Sequence, residues 1–209
     1  MTKRSTAGLV FLVLGILCLI SALALWQNNR SEAQEAEASA RAVMEQLAAV
    51  MEQRQAEAES PLQPISEPVS PPMSEQTVFP MDTIEIDGQL YIGFLTISDL
   101  NLELPVMDSW DYDKLKTAPC RYTGTLAGND LVIAAHNYLR HFGHLMDLSL
   151  GAEILFTDVS GATTRYTVAE LEILQPTAVE EMTSGDYDLT LFTCTYGGAT
   201  RFTVRCLRK

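Results

Sequence analysis

Residues 190–206 read TLFTCTYGGATRFTVRC. Thr, Phe and Val suit a half-buried extended backbone, and the Tyr-Gly-Gly-Ala segment suits a turn. The stretch therefore predicts a strand ending in Cys194, a short connection and a second strand carrying Arg201. With Thr195 to Thr200 as the connection, Cys194 and Arg201 stand opposite one another, their Cβ atoms roughly 5 Å apart. A guanidinium there lowers a thiol pKa and stabilises the oxyanion of an acyl-transfer intermediate. The plainer alternatives are a buried, inert cysteine and a solvated strand-face charge. Arg205, further from the turn, competes with Arg201 on chemistry alone.

Upstream, the chain continues as short β-type runs between turn residues. Strands are expected at Thr83–Ile86, Leu90–Ile97, Leu102–Met107, Thr123–Ala127, Asp130–Ala135, Glu153–Thr157, Arg165–Ile173, Asp188–Cys194 and Thr200–Cys206. Asp87-Gly88 and Asn129-Asp130 supply turns. Short helices are expected around Asp111–Lys116 and around Tyr138–Leu148, where Phe142, Leu145 and Met146 fall at helical spacing. Many short strands with few helices predict a mainly β domain, closed or sandwich-like.

All three histidines lie between His136 and His144. His136 ends the apolar run LVIAA and precedes Asn137, at a strand-to-loop junction of the kind that presents catalytic groups. It can serve as acid and base for Cys194; an ordinary loop histidine is the alternative. His136, His141 and His144 form an H-x4-H-x2-H cluster that matches no standard zinc spacing, so no metal is expected. Without a Gly-rich phosphate loop, a G-x-S-x-G elbow or a CxxC pair, nucleotide chemistry, serine hydrolysis and thioredoxin-like redox chemistry lose support, and no cofactor is expected.

The N-terminal third is organised differently. Residues 1–7 carry Lys3 and Arg4, and Gly8 to Trp26 contain no charge and suffice to cross a bilayer core of roughly 30 Å. A transmembrane helix with a cytoplasmic N-terminus follows from the positive-inside rule. The alternative, a cleaved signal peptide, is disfavoured by the length of the run and by the absence of a strong small-x-small site after Trp26. Residues 27–60 are rich in Ala, Glu and Gln and predict a solvated stalk helix; a thin stripe of Val43, Leu47 and Val50 leaves weak self-association as a coiled coil open. Pro61, Pro64, Pro68, Pro71 and Pro72 make residues 61–77 an extended linker. Residues 78–209 form the remaining domain, which stalk and linker would hold off the membrane.

The chain's net charge is −13, and setting aside Lys3 and Arg4 of the 14 basic residues leaves 12 against 27 acidic ones, or −15, outside. Such a surface has no basic footprint, which excludes nucleic-acid binding. Of four cysteines, Cys18 lies in the apolar run, so the three outside cannot all pair with each other. Cys194 is read as free, with a Cys120–Cys206 disulfide left open.

With Thr190-Leu191-Phe192-Thr193-Cys194 (a TLxTC signature), Arg201 seven residues on and Ala135-His136-Asn137 upstream, residues 84–208 resemble the sortase family. YIGFLTISDLNLELPV is similar to the family's opening strands, and HFGHLMDLSLGAEILFTDVSG to its region after the histidine. The resemblance implies an eight-stranded β-barrel with short helices and a cysteine transpeptidase of the Gram-positive cell surface. It implies that Cys194 attacks a threonine carbonyl in an LPxTG-like C-terminal sorting signal to give a thioacyl-enzyme. His136 would protonate the departing amine, Arg201 would hold substrate or oxyanion, and an amine of a cell-wall precursor or a pilin would release the joined surface protein. Thr193, Asn137 and Ala135 are the substrate-contacting positions it implies. Ala135 stands where Gly is common. About twenty residues between Val168 and Thr190 leave little room for the helix that class B members insert, and one N-terminal anchor argues against the usual pilus-polymerising arrangement. A class D-like or housekeeping type is therefore favoured. A cysteine peptidase that only hydrolyses, and a non-enzymatic surface binding module, are the competing functions.

Overall fold

The computed structural model describes residues 3–59 and 81–209. The Pro-rich segment 61–77 and the expected domain start at residue 78 lie outside them.

Among the described residues nine strands follow in chain order: β1 (Ile84–Ile86), β2 (Gln89–Ile97), β3 (Leu102–Met107), β4 (Cys120–Thr123), β5 (Leu131–Ala134), β6 (Glu153–Asp158), β7 (Thr163–Leu174), β8 (Leu189–Cys194) and β9 (Arg201–Arg208). Eight of them close a ring, β2-β3-β4-β5-β8-β9-β7-β6, with β6 pairing back onto β2 and β1 added beside it. Closure leaves no free edge in the ring and turns alternate side chains inward. Inside sit Ile92, Leu95, Leu104, Ile133, Ile154, Phe156, Leu191 and Val204.

One residue allows β2 to serve two partners on the same side. It pairs with β1 up to Tyr91 and with β6 from Gly93 onward. Gly93 has φ +145°, and a Cβ there would lie 2.1 Å from the carbonyl oxygen of Thr157. Only glycine lets β6 approach this closely.

β5 and β8 are parallel neighbours, and both run toward the same end of the barrel, where His136 and Cys194 follow or finish them. The helix α1 (Lys3–Glu59) is continuous from the apolar stretch through the expected stalk. It is not a solvated stalk throughout. Ala36, Ala40, Val43, Leu47 and Met51 are buried at spacings of three and four, which makes one continuous helical face. Ala40 joins the barrel core, whereas Val43, Leu47 and Met51 pack with Ile84, Ile86, Tyr91, Met107 and Leu115 on the barrel's outside. The sequence reading missed this because two of the five contacts are alanines, too small to register as an apolar stripe.

Three other expectations need correction. The helix foreseen at Tyr138–Leu148 is a run of turns with one 3-10 turn at Leu145–Asp147. The Tyr138 carbonyl accepts from both His141 and Gly143, and the His136 carbonyl from Phe142, so the chain coils irregularly while still burying Phe142 and Leu145. The strand foreseen at Thr123–Ala127 is instead β4, which ends where Gly124 turns at φ +75° and Asp130 accepts a bond from the Thr125 amide. The helix at Asp111–Lys116 shrinks to α2 (Lys114–Thr117), because the Asp111 carboxylate takes the amides of Asp113 and Lys114 in a preceding turn. A helix not foreseen, α3 (Val179–Thr183), lies in the connection from β7 to β8.

Cys120 and Cys206 are both free thiols and fully buried. They sit on β4 and β9, three strand spacings apart or roughly 14 Å along the sheet, too far for a disulfide. Burial pushes both thiols up to about 12, so they are core residues rather than nucleophiles.

Candidate active site

The hairpin predicted at residues 190–206 has the register expected of it. Cys194 on β8 pairs with Arg201 on β9. The connection is clasped by Thr195, whose amide donates to the Thr200 carbonyl at 3.0 Å while the two threonine hydroxyls meet at 2.8 Å. Arg201 is aimed by its own turn: Nη1 donates to the carbonyls of Gly198 and Thr200, each at 3.1 Å. One nitrogen satisfies both bonds, leaving the rest of the guanidinium fork for other partners.

A cavity of about 190 Å³ opens at this end of the barrel and is walled by Ala135, His136, Thr193, Cys194 and Arg201. Four of these residues stand at or just past the ends of two adjacent parallel strands, and the fifth is on β9, which pairs with β8. Cys194 is half-buried, in contrast to Cys120 and Cys206. The His136 ring stacks on Tyr138 at 4.9 Å between centroids, and Tyr138 in turn faces His141 at 5.6 Å.

Thr193 is buried, and its hydroxyl donates to the Ala135 carbonyl at 2.9 Å. That bond ties the residue before Cys194 to the residue before His136. Asn137 does not wall the cavity. Arg205, the competing arginine, is almost fully buried elsewhere. Its Nε meets Glu172 at 2.6 Å, and its other nitrogens donate to the carbonyls of Met182 and Glu181 and to the Thr190 hydroxyl. It fastens α3 to the barrel.

The apolar walls were not foreseen. Trp110 and Tyr112 come from the turn between β3 and α2, Tyr122 from β4, Phe192 from β8, and Val179 and Met182 from α3. Trp110, Tyr122 and Phe192 form a chain of ring contacts, each at 5.3 Å. Two aromatics in the otherwise polar run DSWDYDK were the available signal. Such walls suit an apolar peptide side chain.

The histidines do not converge. His144 is exposed and pairs with Asp147 at 2.7 Å, whereas His141 is fully buried. Among the described residues no group of His, Cys, Asp or Glu is arranged to hold a metal ion.

The family pattern of the Sortase domain matches residues 95–209, more than half of the chain. The chain belongs to the sortase family. Its fold is shared with solved sortases. Sortase C from Clostridium perfringens is 26% identical, with 57% of this chain and 70% of that one covered and a TM-score of 0.51. Sortase C1 from Streptococcus agalactiae is 25% identical over 60% of this chain and 70% of its own, at a TM-score of 0.53. A Clostridium perfringens Sortase D5 transpeptidase shares the fold at 21% identity, covering 57% and 79%, with a TM-score of 0.51. No curated protein matches the chain. Sortases are cysteine transpeptidases, and the class C structures at 25% and 26% identity accord with a reading away from class B. The connection from β7 to β8 carries only the five-residue α3, with no long inserted helix.

Proposed function

We propose that this sortase is anchored in the cell membrane by residues 8–26 and joins surface proteins to an amine outside a Gram-positive cell. Cys194 is the nucleophile, His136 the acid and base, and Arg201 the electrostatic partner. The observation that carries the reading is the shared cavity wall of these three residues, with Cys194 and Arg201 in direct register. Residues Gly8–Asn28 are long and apolar enough to cross a bilayer, which supports the anchor.

The Cys194 thiolate adds to the carbonyl carbon of a threonine in an LPxTG-like sorting signal. The Arg201 guanidinium faces the resulting oxyanion. As the tetrahedral intermediate collapses, the C–N bond breaks, His136 gives its proton to the departing amine, and a thioester to Cys194 remains. An incoming primary amine of a cell-wall precursor or a pilin then loses a proton to His136 and attacks the thioester, releasing the new amide and the thiolate. A sortase C from Clostridium perfringens, 26% identical, has been solved with the C-terminal cell wall sorting motif, which supports this substrate class. Thr193 and Ala135 position the two strand ends, and the apolar walls receive the side chains ahead of the threonine.

Mass spectrometry of the full chain in detergent, incubated with a library of sorting-motif peptides and a small primary amine, tests the reading. A peptide–amine product that vanishes in Cys194→Ala is expected. Hydrolysed peptide alone would assign a cysteine peptidase, and no turnover of any peptide would favour the binding module.

A further inference from the structure

The direction of α1 against the barrel is set at two points. Glu37 holds Arg140 at 3.3 Å, and Arg140 lies four residues beyond His136, at the end where β5 finishes. Eighteen residues along the helix, the Gln55 side chain donates to the Ser160 carbonyl at 3.4 Å. Ser160 belongs to the turn between β6 and β7, which shares a cavity with Thr125, Leu126 and Ala127, the turn from which β5 starts. Eighteen helical residues span about 27 Å, enough to run the length of a small barrel. α1 therefore descends from the catalytic end to the opposite end, and the apolar stretch projects beyond the catalytic end.

That stretch ends at Asn28, nine residues before Glu37. Because the helix is unbroken, the separation is about 13 Å along its axis. The packing of Ala36 to Met51 against the barrel removes the freedom that a flexible tether would give. We infer that α1 aims the catalytic end at the bilayer and holds it there at a short, fixed stand-off. This rests on the membrane anchor proposed above: without it there is no stand-off to set.

Two measurements separate the geometry from the chemistry. A thiol-reactive fluorophore on Cys194 in a Cys18→Ala background, where Cys120 and Cys206 are buried, is compared with one on residue 160 in Ser160→Cys/Cys18→Ala/Cys194→Ala. Both are reconstituted in vesicles carrying an acceptor dye on lipid headgroups. Stronger energy transfer from position 194 than from position 160 is expected; equal or reversed transfer overturns the orientation. Separately, seven or fourteen helix-forming residues are inserted after Ser31, raising the barrel by about 10 or 21 Å. Turnover of a soluble sorting peptide is expected to hold. Turnover of the same peptide on a lipid anchor with a short spacer should fall about tenfold or more with the longer insertion, as its effective concentration at the site collapses. Parallel behaviour of both peptides overturns the fixed stand-off. If no variant joins either peptide to an amine, the proposed function fails, while energy transfer from position 194, with and without the insertions, still decides the orientation and the stand-off.

Discussion

Cys194 and Arg201 are paired residues of one antiparallel ladder, and the turn that joins them also holds the guanidinium through the carbonyls of Gly198 and Thr200. A six-residue connection thus sets both the distance and the aim of the charge. Arg201→Lys keeps the charge but loses the planar fork. Its kcat should fall about 100-fold or more, the scale of removing one oxyanion donor. Single-turnover acylation of Cys194 checks this, with thermal unfolding unchanged within about 0.5 kcal/mol.

Arg205 should behave in the opposite way. It is nearly fully buried and ion-paired to Glu172, so Arg205→Ala strands that carboxylate and frees two α3 carbonyls. Because Glu172 is partly exposed, losing the pair costs about 1 to 3 kcal/mol. Urea unfolding should show a large fall in midpoint, which Arg201→Ala should not.

Leu47 has no exposed surface although it belongs to a helix that reads as a solvated stalk. Leu47→Ala should cost about 2 to 5 kcal/mol, and Glu52→Ala, on the exposed side, less than about 0.5. For the same reason a fragment starting at residue 78 should unfold well below one starting at residue 30. Calorimetry of the two fragments decides it.

Burial pushes His141 down to about 4, and the nearby His136 pushes in the same direction, while the Thr117 backbone opposes it. The neutral ring is favoured in the folded protein, so the unfolded chain takes up a proton first as pH falls. The associated stability is complete above about pH 6.5 and is lost progressively down to about pH 4, a change of roughly 3 kcal/mol. His141→Phe should flatten that part of the stability profile, followed by urea unfolding at pH 7 and pH 4.5.

Thr193 joins β8 to β5 through its bond to the Ala135 carbonyl. Thr193→Val keeps the shape and leaves that buried carbonyl without its donor, a loss of about 1 kcal/mol or somewhat more. Because the bond lies beside both Cys194 and His136, kcat should fall while thermal stability drops only a few degrees. A variant with lower stability and unchanged kcat would assign the bond to folding alone.

The amino-acid sequence by itself determined the hairpin from Thr190 to Cys206, the strand leading to His136 and the apolar segment before Trp26. In each case the information is local: alternating strand residues around a Gly-Gly turn, or an uncharged run as long as a bilayer is thick. Only the tertiary structure decided which arginine reaches the cavity, because Arg201 and Arg205 lie on the same strand and differ in what packs over them, namely an open turn for one and α3 for the other. It also decided the fate of the stalk, where Ala36 and Ala40 are buried by close approach of the barrel rather than by hydrophobicity. The aromatic wall of Trp110, Tyr122 and Phe192 was equally hidden, since it draws on three separate segments. Such contacts depend on which strands become neighbours in the ring, above all β5 with β8, a long-range pairing that no window of neighbouring residues encodes.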